Sequence, residues 1–271
     1  MKKIKAILCD YDGTLVDENG QYLPEVKTLI KKIQDKNVRF SLATGRAYYS
    51  SIKKIENELG IQGTHILHGG AMIFDSIDNK ILLFQAISDE SIAKIIKYLL
   101  SQKLIFSLEA KNSVYISEIV KGSLHYTDIP NQTLNKYKNN EQILKMVIYA
   151  KVNRLTESKM DFHINNLQKS CSDISANKFE FFNFFGADIT SEKATKHTAV
   201  LEYFKILKLS QGEVVAIGDG PNDYPLFTAC GFGIAMNSAP KELKEIAGLV
   251  VPSVKDGGMV KALEYIYNNL I

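Results

Sequence analysis

The sequence predicts an α/β fold, a doubly wound parallel sheet with a second, α+β domain inserted into it. Near both ends of the chain, apolar runs of strand length alternate with amphipathic helical stretches, the rhythm of βαβ units. Each of those runs breaks into a loop bearing Asp, Thr or Asn. From about Ile87 to Gly186 the rhythm gives way to short strands and helices without such loops. A chain of 271 residues exceeds the usual single-domain size, so a core with an insertion is reasonable. The expected boundaries are 1–84 with 188–271 for the core and 85–187 for the insertion.

The elements follow from local pattern. Ile4 to Leu8 reads as a buried parallel strand that delivers Cys9-Asp10-Tyr11-Asp12-Gly13-Thr14-Leu15 at its carboxyl end. Pro24 opens an amphipathic helix with Val26, Leu29, Ile30 and Ile33 on one stripe. Val38 to Ala43 is the second strand and ends at Thr44-Gly45-Arg46, and the next helix runs through Ile52, Ile55 and Leu59 until Gly60 stops it. His65 to Leu67 is a third strand, His68 to Ala71 a turn, and Met72 to Phe74 with Ile81 to Phe84 a strand pair.

In the insertion a helix is expected through Ile92 to Leu100, paired strands at Ile105 to Leu108 and Val114 to Ile116, a strand at Lys145 to Ala150 and a helix at Ser158 to Leu167. Segment 118–142, rich in Asn and Lys, has no assignment. The aromatic run Phe179 to Phe185 reads as a single two-sided strand in the insertion's core. Single-stranded nucleic-acid platforms would interleave basic residues there. The core rhythm resumes with a helix from Thr195, the strand Val214 to Ile217 breaking into Gly218-Asp219-Gly220-Pro221-Asn222-Asp223, strands at Phe232 to Met236 and Leu249 to Val251, and a last helix from Met259.

Composition excludes several classes. Lys+Arg 33 against Asp+Glu 30 gives a net charge of +3, spread without a basic block, so nucleic-acid binding is not indicated. Cys9, Cys171 and Cys230 are far apart and form no ligand cluster, which fits reduced thiols and neither a disulfide framework nor a zinc site. The apolar run after Lys2 and Lys3 is too short for a signal segment, and no stretch reaches membrane-spanning length, so a cytoplasmic location is expected. Oligomeric state is left open.

Parallel winding brings the strand ends to one edge of the sheet, where open α/β sheets bind ligands. Asp10, Asp12, Asp219 and Asp223 would then share a crevice. At about 4 Å each like-charged pair repels by roughly 4 kcal/mol at an effective dielectric near 20. A hard divalent cation relieves this, and an all-oxygen donor set favours Mg²⁺ over zinc. Lys196 in the first turn of its helix, together with Thr44, suits an anionic oxygen group, and the whole suits phosphoryl transfer. Each residue also has a plain structural reading: Thr44 as a helix cap, Lys196 as a solvated side chain, Asn222 as a turn residue.

These stretches resemble the haloacid dehalogenase superfamily of phosphatases, in its Cof-type branch with a large inserted cap. Asp10-Tyr11-Asp12-Gly13-Thr14-Leu15 is similar to the first motif, Ala43-Thr44-Gly45-Arg46 to the second, Lys196 to the third and Gly218 to Asp223 to the fourth. Ala235 to Ala239 and Asp256-Gly257-Gly258 resemble the closing segments. The resemblance implies a Rossmann-like core and a Mg²⁺-dependent phosphatase acting on small phosphate monoesters, such as a sugar phosphate or a phosphorylated cofactor, through an aspartyl-phosphate. It implies Asp10 as nucleophile, Asp12 as acid and base, and a metal held by Asp10, the Asp12 carbonyl and Asp219 with Asp223 in support. Thr44, Gly45, Lys196 and Asn222 are implied to bind the phosphate. Passing the phosphoryl group to another hydroxyl, as a phosphotransferase or mutase does, and non-catalytic binding as a regulatory module are the alternatives. His197 follows Lys196 where the branch commonly has Gly, and His68 stands where Asn is common. Arg46 is expected to pair with a carboxylate.

Overall fold

A computed structural model describes residues 3–118, 131–139, 141–181 and 184–271. In chain order the elements are β1 (Ala6–Cys9), α1 (Pro24–Gln34), β2 (Arg39–Leu42), α2 (Lys53–Leu59), β3 (Thr64–Leu67), β4 (Met72–Asp75), β5 (Lys80–Phe84), α3 (Asp89–Ser101), β6 (Phe106–Ala110), β7 (Val114–Ile116), β8 (Asn131–Thr133), β9 (Ile143–Tyr149), α4 (Ala150–Asn153) and α5 (Glu157–Ser170). They continue as β10 (Ile174–Phe181), β11 (Phe184–Ser191), α6 (Lys196–Leu207), β12 (Val214–Gly218), α7 (Tyr224–Ala229), β13 (Phe232–Met236), α8 (Lys241–Ile246), β14 (Leu249–Val251) and α9 (Gly258–Asn269). Among the described residues no helix is long and apolar enough to cross a membrane.

The chain divides into two compact units, 1–45 with 54–83 and 195–271, and 46–53 with 84–194. The first is built on a five-stranded parallel sheet in the order β14-β13-β12-β1-β2. Every residue of β1 is fully buried, as the unbroken apolar run requires of a strand covered on both faces. One face packs Ala6, Leu8 and Ala216 against Val200, Tyr203 and Leu226 of α6 and α7, while α1 and α9 pack against each other. Pro24 occupies the first turn of α1, where its missing N–H has no intrahelical partner to lose, and Val26, Ile30 and Ile33 are the buried stripe.

Strands β3, β4 and β5 form a separate sheet. It meets β2 at one bridge, Ala43 to Ile66, and through a side chain: the Leu42 N–H donates to His65 Nδ1 at 3.0 Å. That bond fixes the imidazole proton on Nε2, which lies 3.1 Å from Glu56 Oε1, and the Ser76 hydroxyl also donates to Glu56. All of His65 and nearly all of Glu56 are buried, so the polar cluster is satisfied internally.

The second unit holds a six-stranded sheet, β10-β11-β9-β6-β7-β8, antiparallel except for the β7–β8 pair. Its core lies against α3 and α5, with Ile92, Leu99, Phe106, Met146, Leu167 and Ile189 among the buried side chains. Ser88 caps α3 and donates to Asp173 at 2.6 Å. Lys145 and Tyr149 of β9 belong to a polar set instead: Tyr149 bonds Ser107 at 2.7 Å, and Lys145 lies 3.5 Å from Glu109 and 3.6 Å from Asp188. Burial, with Glu109 beside it, pushes the Asp188 carboxyl up to about 6 although Lys145 opposes the shift.

Two sequence expectations change. The run Phe179 to Phe185 is not one strand: it falls on β10 and β11, which pair antiparallel with Phe181 opposite Phe184. An unbroken aromatic run carries no Gly or Pro to mark a chain reversal, so alternation alone misses it; Phe182 and Asn183 lie outside the described residues. Segments 46–53 and 188–194, placed with the core on sequence grounds, fall in the second unit, the first packing through Ala47 against Val114 and Ile116 and the second carrying the end of β11. Within the unassigned stretch 118–142, β8 forms at Asn131–Thr133, while 119–130 and 140 lie outside the described residues.

Candidate active site

Three neighbouring parallel strands end together. Asp10 follows β1, Thr44 lies two residues past β2 and Asp219 follows β12, so the adjacency of these strands gathers residues from the chain's two ends. The Asp10 N–H still donates to Ile217 O at 2.9 Å, which keeps its backbone in the ladder as the chain leaves the sheet.

The loop after β1 turns at once: the N–H groups of Leu15 and Val16 both donate to Tyr11 O, and Gly13 takes φ +79°. A Cβ on Gly13 would stand 2.3 Å from Asp219 Oδ2, so close approach as well as backbone conformation requires glycine there. Thr14, fully buried, donates its hydroxyl to Asp219 Oδ1 at 2.6 Å.

Lys196 is the first residue of α6, which Thr195 caps by accepting the Thr198 N–H. Its Nζ donates to Asp10 Oδ1 at 2.7 Å and to Asp223 Oδ1 at 2.6 Å. A cation at the positive end of a helix is unfavourable by itself, and the two carboxylates compensate for it. Asp223, with no exposed surface, spends its other oxygen on the N–H groups of Asp219 and Gly220, both at 3.0 Å, and so ties the loop after β12 into a fixed shape. Asp10, Asp219 and Asp223 each present an oxygen within 4.8 Å of the others.

One lysine against three carboxylates leaves an excess of negative charge. Burial, with Asp223 next in effect, holds the Asp10 carboxyl well above the usual range although Lys196 opposes it. Burial pushes Asp219 up to about 7, against the Thr14 hydrogen bond and with Asp223 adding to the rise. Burial alone would favour the neutral Lys196 amine, but Asp10 and Asp223 outweigh it and hold the ammonium form. Cys9 is buried and its thiol pushed up by desolvation, which makes it inert. The three acids are hard oxygen donors, converging and short of positive charge, and they fit a divalent cation.

The remaining residues singled out in the sequence fall as follows. Asp12 is half-buried, and its carboxylate is not one of the three in the cluster, though its charge still raises Asp219. Thr44 is buried, donating its N–H to Ile66 O at 2.9 Å and accepting from Gly69 N–H at 3.0 Å. Gly45 has open space where a side chain would be. Asn222 is exposed beside Gly220, where a Cβ would meet its Oδ1 at 2.3 Å. Arg46 donates to the Ser51 hydroxyl at 3.1 Å. His68 is buried in the turn after β3, and His197 is exposed on α6.

Sequence reasoning missed Thr14 and Gly70. Gly70 has φ +106°, and a Cβ there would lie 2.3 Å from Thr195 O and 2.9 Å from Lys196 N, so the turn after β3 seats the start of α6. The paired glycines were the available signal. Gly70→Ala is therefore expected to destabilise the protein by about 2 kcal/mol or more, since strain and a backbone clash coincide, and to weaken cation binding as Lys196 shifts. Urea denaturation and a metal titration would measure the two effects.

The family model described as haloacid dehalogenase-like hydrolase matches residues 7–263. The phosphatase YwpJ of Bacillus subtilis is 22% identical over 97% of this chain and 100% of its own. Among solved structures, a haloacid dehalogenase-like hydrolase from Bacteroides thetaiotaomicron superposes with a TM-score of 0.84 at 20% identity, covering 97% of this chain and 100% of that one. A sugar phosphatase of HAD subclass IIB superposes with a TM-score of 0.78 at 20% identity, over 97% and 98% of the two chains.

Proposed function

The chain belongs to the haloacid dehalogenase-like hydrolase family, and from that premise we propose that it is a cytoplasmic, Mg²⁺-dependent phosphatase of small phosphate monoesters, with sugar phosphates the first class to test. The observation that carries this reading is Lys196 bridging Asp10 and Asp223 beside Asp219, an arrangement supplied by the segments after β1 and β12 and the first turn of α6.

Lys196 engages Asp10 Oδ1, which leaves Oδ2 as the attacking atom. Oδ2 forms a bond to phosphorus as the ester P–O bond breaks, and Asp12 gives its proton to the departing alkoxide. Asp12, now a carboxylate, takes a proton from water; the water oxygen bonds phosphorus, the P–Oδ2 bond breaks, and phosphate leaves with Asp10 regenerated. Thr44, the Gly45 amide, Lys196 and Asn222 bind the non-transferring oxygens. Asp10, Asp219 and the Asp12 carbonyl, with Asp223 in support, would hold the cation, which would supply charge neutralisation for the acids and the phosphoryl group. Asp223 fixes the direction of Lys196 and the shape of the loop that carries Asp219.

The insertion at 85–187 is assigned the selection of the leaving group, as a cap. In the second compact unit the half-buried Tyr149 and Asp188, backed by the buried Ser107, Lys145 and Glu109, offer hydrogen bonds of the kind a polyol accepts and donates. Phosphate release measured over a panel of sugar phosphates and phosphorylated cofactors, with Mg²⁺ present, tests the proposal. Turnover of a subset of them is expected, and no release from any monoester would overturn it.

A further inference from the structure

The second compact unit contains a groove of about 520 Å³ where the α3–β6 turn, the α4–α5 turn and one side of α5 meet. Lys103 comes from the first turn and Arg154 from the second, while Lys159, Phe162 and His163, at spacings of three and four, come from one stripe of α5. Glu118 is the single acid in the lining among the described residues. Asn153 braces the two turns, with its amide bonded to the Ile105 N–H at 2.6 Å, to Ile105 O at 2.7 Å and to Tyr149 O at 2.8 Å.

Three features of the lining point to a ligand. Three basic side chains, Lys103, Arg154 and Lys159, face one acid, Glu118, across the described lining, which leaves it with an excess of positive charge. Phe162 is 59% exposed, more than any other exposed Phe or Tyr among the described residues, and its ring stands 5.5 Å from that of His163 at 73°. His163 itself is buried and oriented. Asn166 donates to the Tyr98 hydroxyl at 3.2 Å, so Tyr98 donates to His163 Nδ1 at 2.9 Å and the imidazole keeps its proton on Nε2. Burial holds the ring below its ordinary pKa, which favours this neutral form.

We propose that this groove binds a nucleoside phosphate, with its phosphates on Lys103, Arg154 and Lys159, its base stacked on Phe162 and a base or ribose acceptor on His163 Nε2–H. Excess positive charge selects the anion, and an exposed aromatic face selects a planar group beside it. The volume falls within the range of small-molecule sites. The site uses none of the residues assigned to phosphoester hydrolysis.

Calorimetric titration of the full chain with ADP, in EDTA, tests this. One equivalent is expected to bind, with inorganic phosphate at least tenfold weaker. Lys159→Glu is expected to weaken ADP at least tenfold and Phe162→Ala about fivefold or more. Both side chains are exposed, so both variants should fold and keep the parent's phosphate release in the absence of ADP. The proposal is overturned if no ADP binds, if phosphate alone binds as tightly, or if neither substitution changes the affinity. It is equally overturned if binding is lost in Asp219→Asn while Lys159→Glu leaves it intact, because ADP would then occupy the acid cluster.

Discussion

Asp10→Asn is expected to lower phosphate release by about 10⁴-fold, a loss of about 5.4 kcal/mol in transition-state stabilisation, without unfolding the protein. The amide cannot form the acyl-phosphate, so the two-step route closes, and the rest of the constellation cannot replace a nucleophile. Stability should move the other way. The Asp10 carboxyl is held above its ordinary range chiefly by burial, so its charge is a burden to the cation-free fold, and Lys196 keeps Asp223 as a partner at 2.6 Å. In EDTA at pH 8 the variant should melt no lower than the parent and by about 2–4 °C higher for each kcal/mol of charge burial relieved. Full activity would remove Asp10 from the nucleophile's role. Lost activity with a collapsed melting temperature would mean that the residue serves the fold instead.

The second large effect is the dependence of the cation-free protein's stability on pH. Asp10 and Asp219 titrate above their unfolded values in the folded chain, Asp219 at about 7. A carboxyl raised on folding makes a contribution that is fully present below its unfolded value, near 4, and is lost as pH rises through its folded value. In EDTA the melting temperature should therefore fall between about pH 5 and pH 8. Mg²⁺ should reverse this at pH 8, by about 2.7 kcal/mol at a hundred times its dissociation constant, and do much less at pH 5, where protons already neutralise the acids. A melting temperature that rises with pH in EDTA, or is insensitive to Mg²⁺ at pH 8, would contradict the charge balance described for Asp10, Asp219 and Asp223.

Much of the parallel sheet was legible because its strands are short apolar runs and the polar residue after each is what the sheet edge exposes. The runs ending at Asp10, Thr44 and Asp219 needed only the winding rule to be brought together. What escaped was whatever depends on partners distant in sequence. Nothing local to Thr14 announces that its hydroxyl meets Asp219, 205 positions later, and nothing local to Gly70 announces the backbone of Thr195. Asp223 reads in the sequence as support for a metal, yet its shorter contact is to Lys196, because a fully buried carboxylate must find a cation within reach. Ala47 was misplaced for a similar reason, since an alanine has no pattern that says which of two apolar surfaces it joins.

The imidazole of His65 has an effect beyond the residues it touches. The outer margin of β2 would otherwise offer a row of open amides, the template on which a foreign strand can add itself and seed aggregation. With the Leu42 N–H closed by an aromatic nitrogen and the Thr44 N–H by Ile66 O, that margin is sealed from within by β3 and leaves neither amide open. A histidine with no exposed surface thus does part of the work that a full strand pairing would otherwise do.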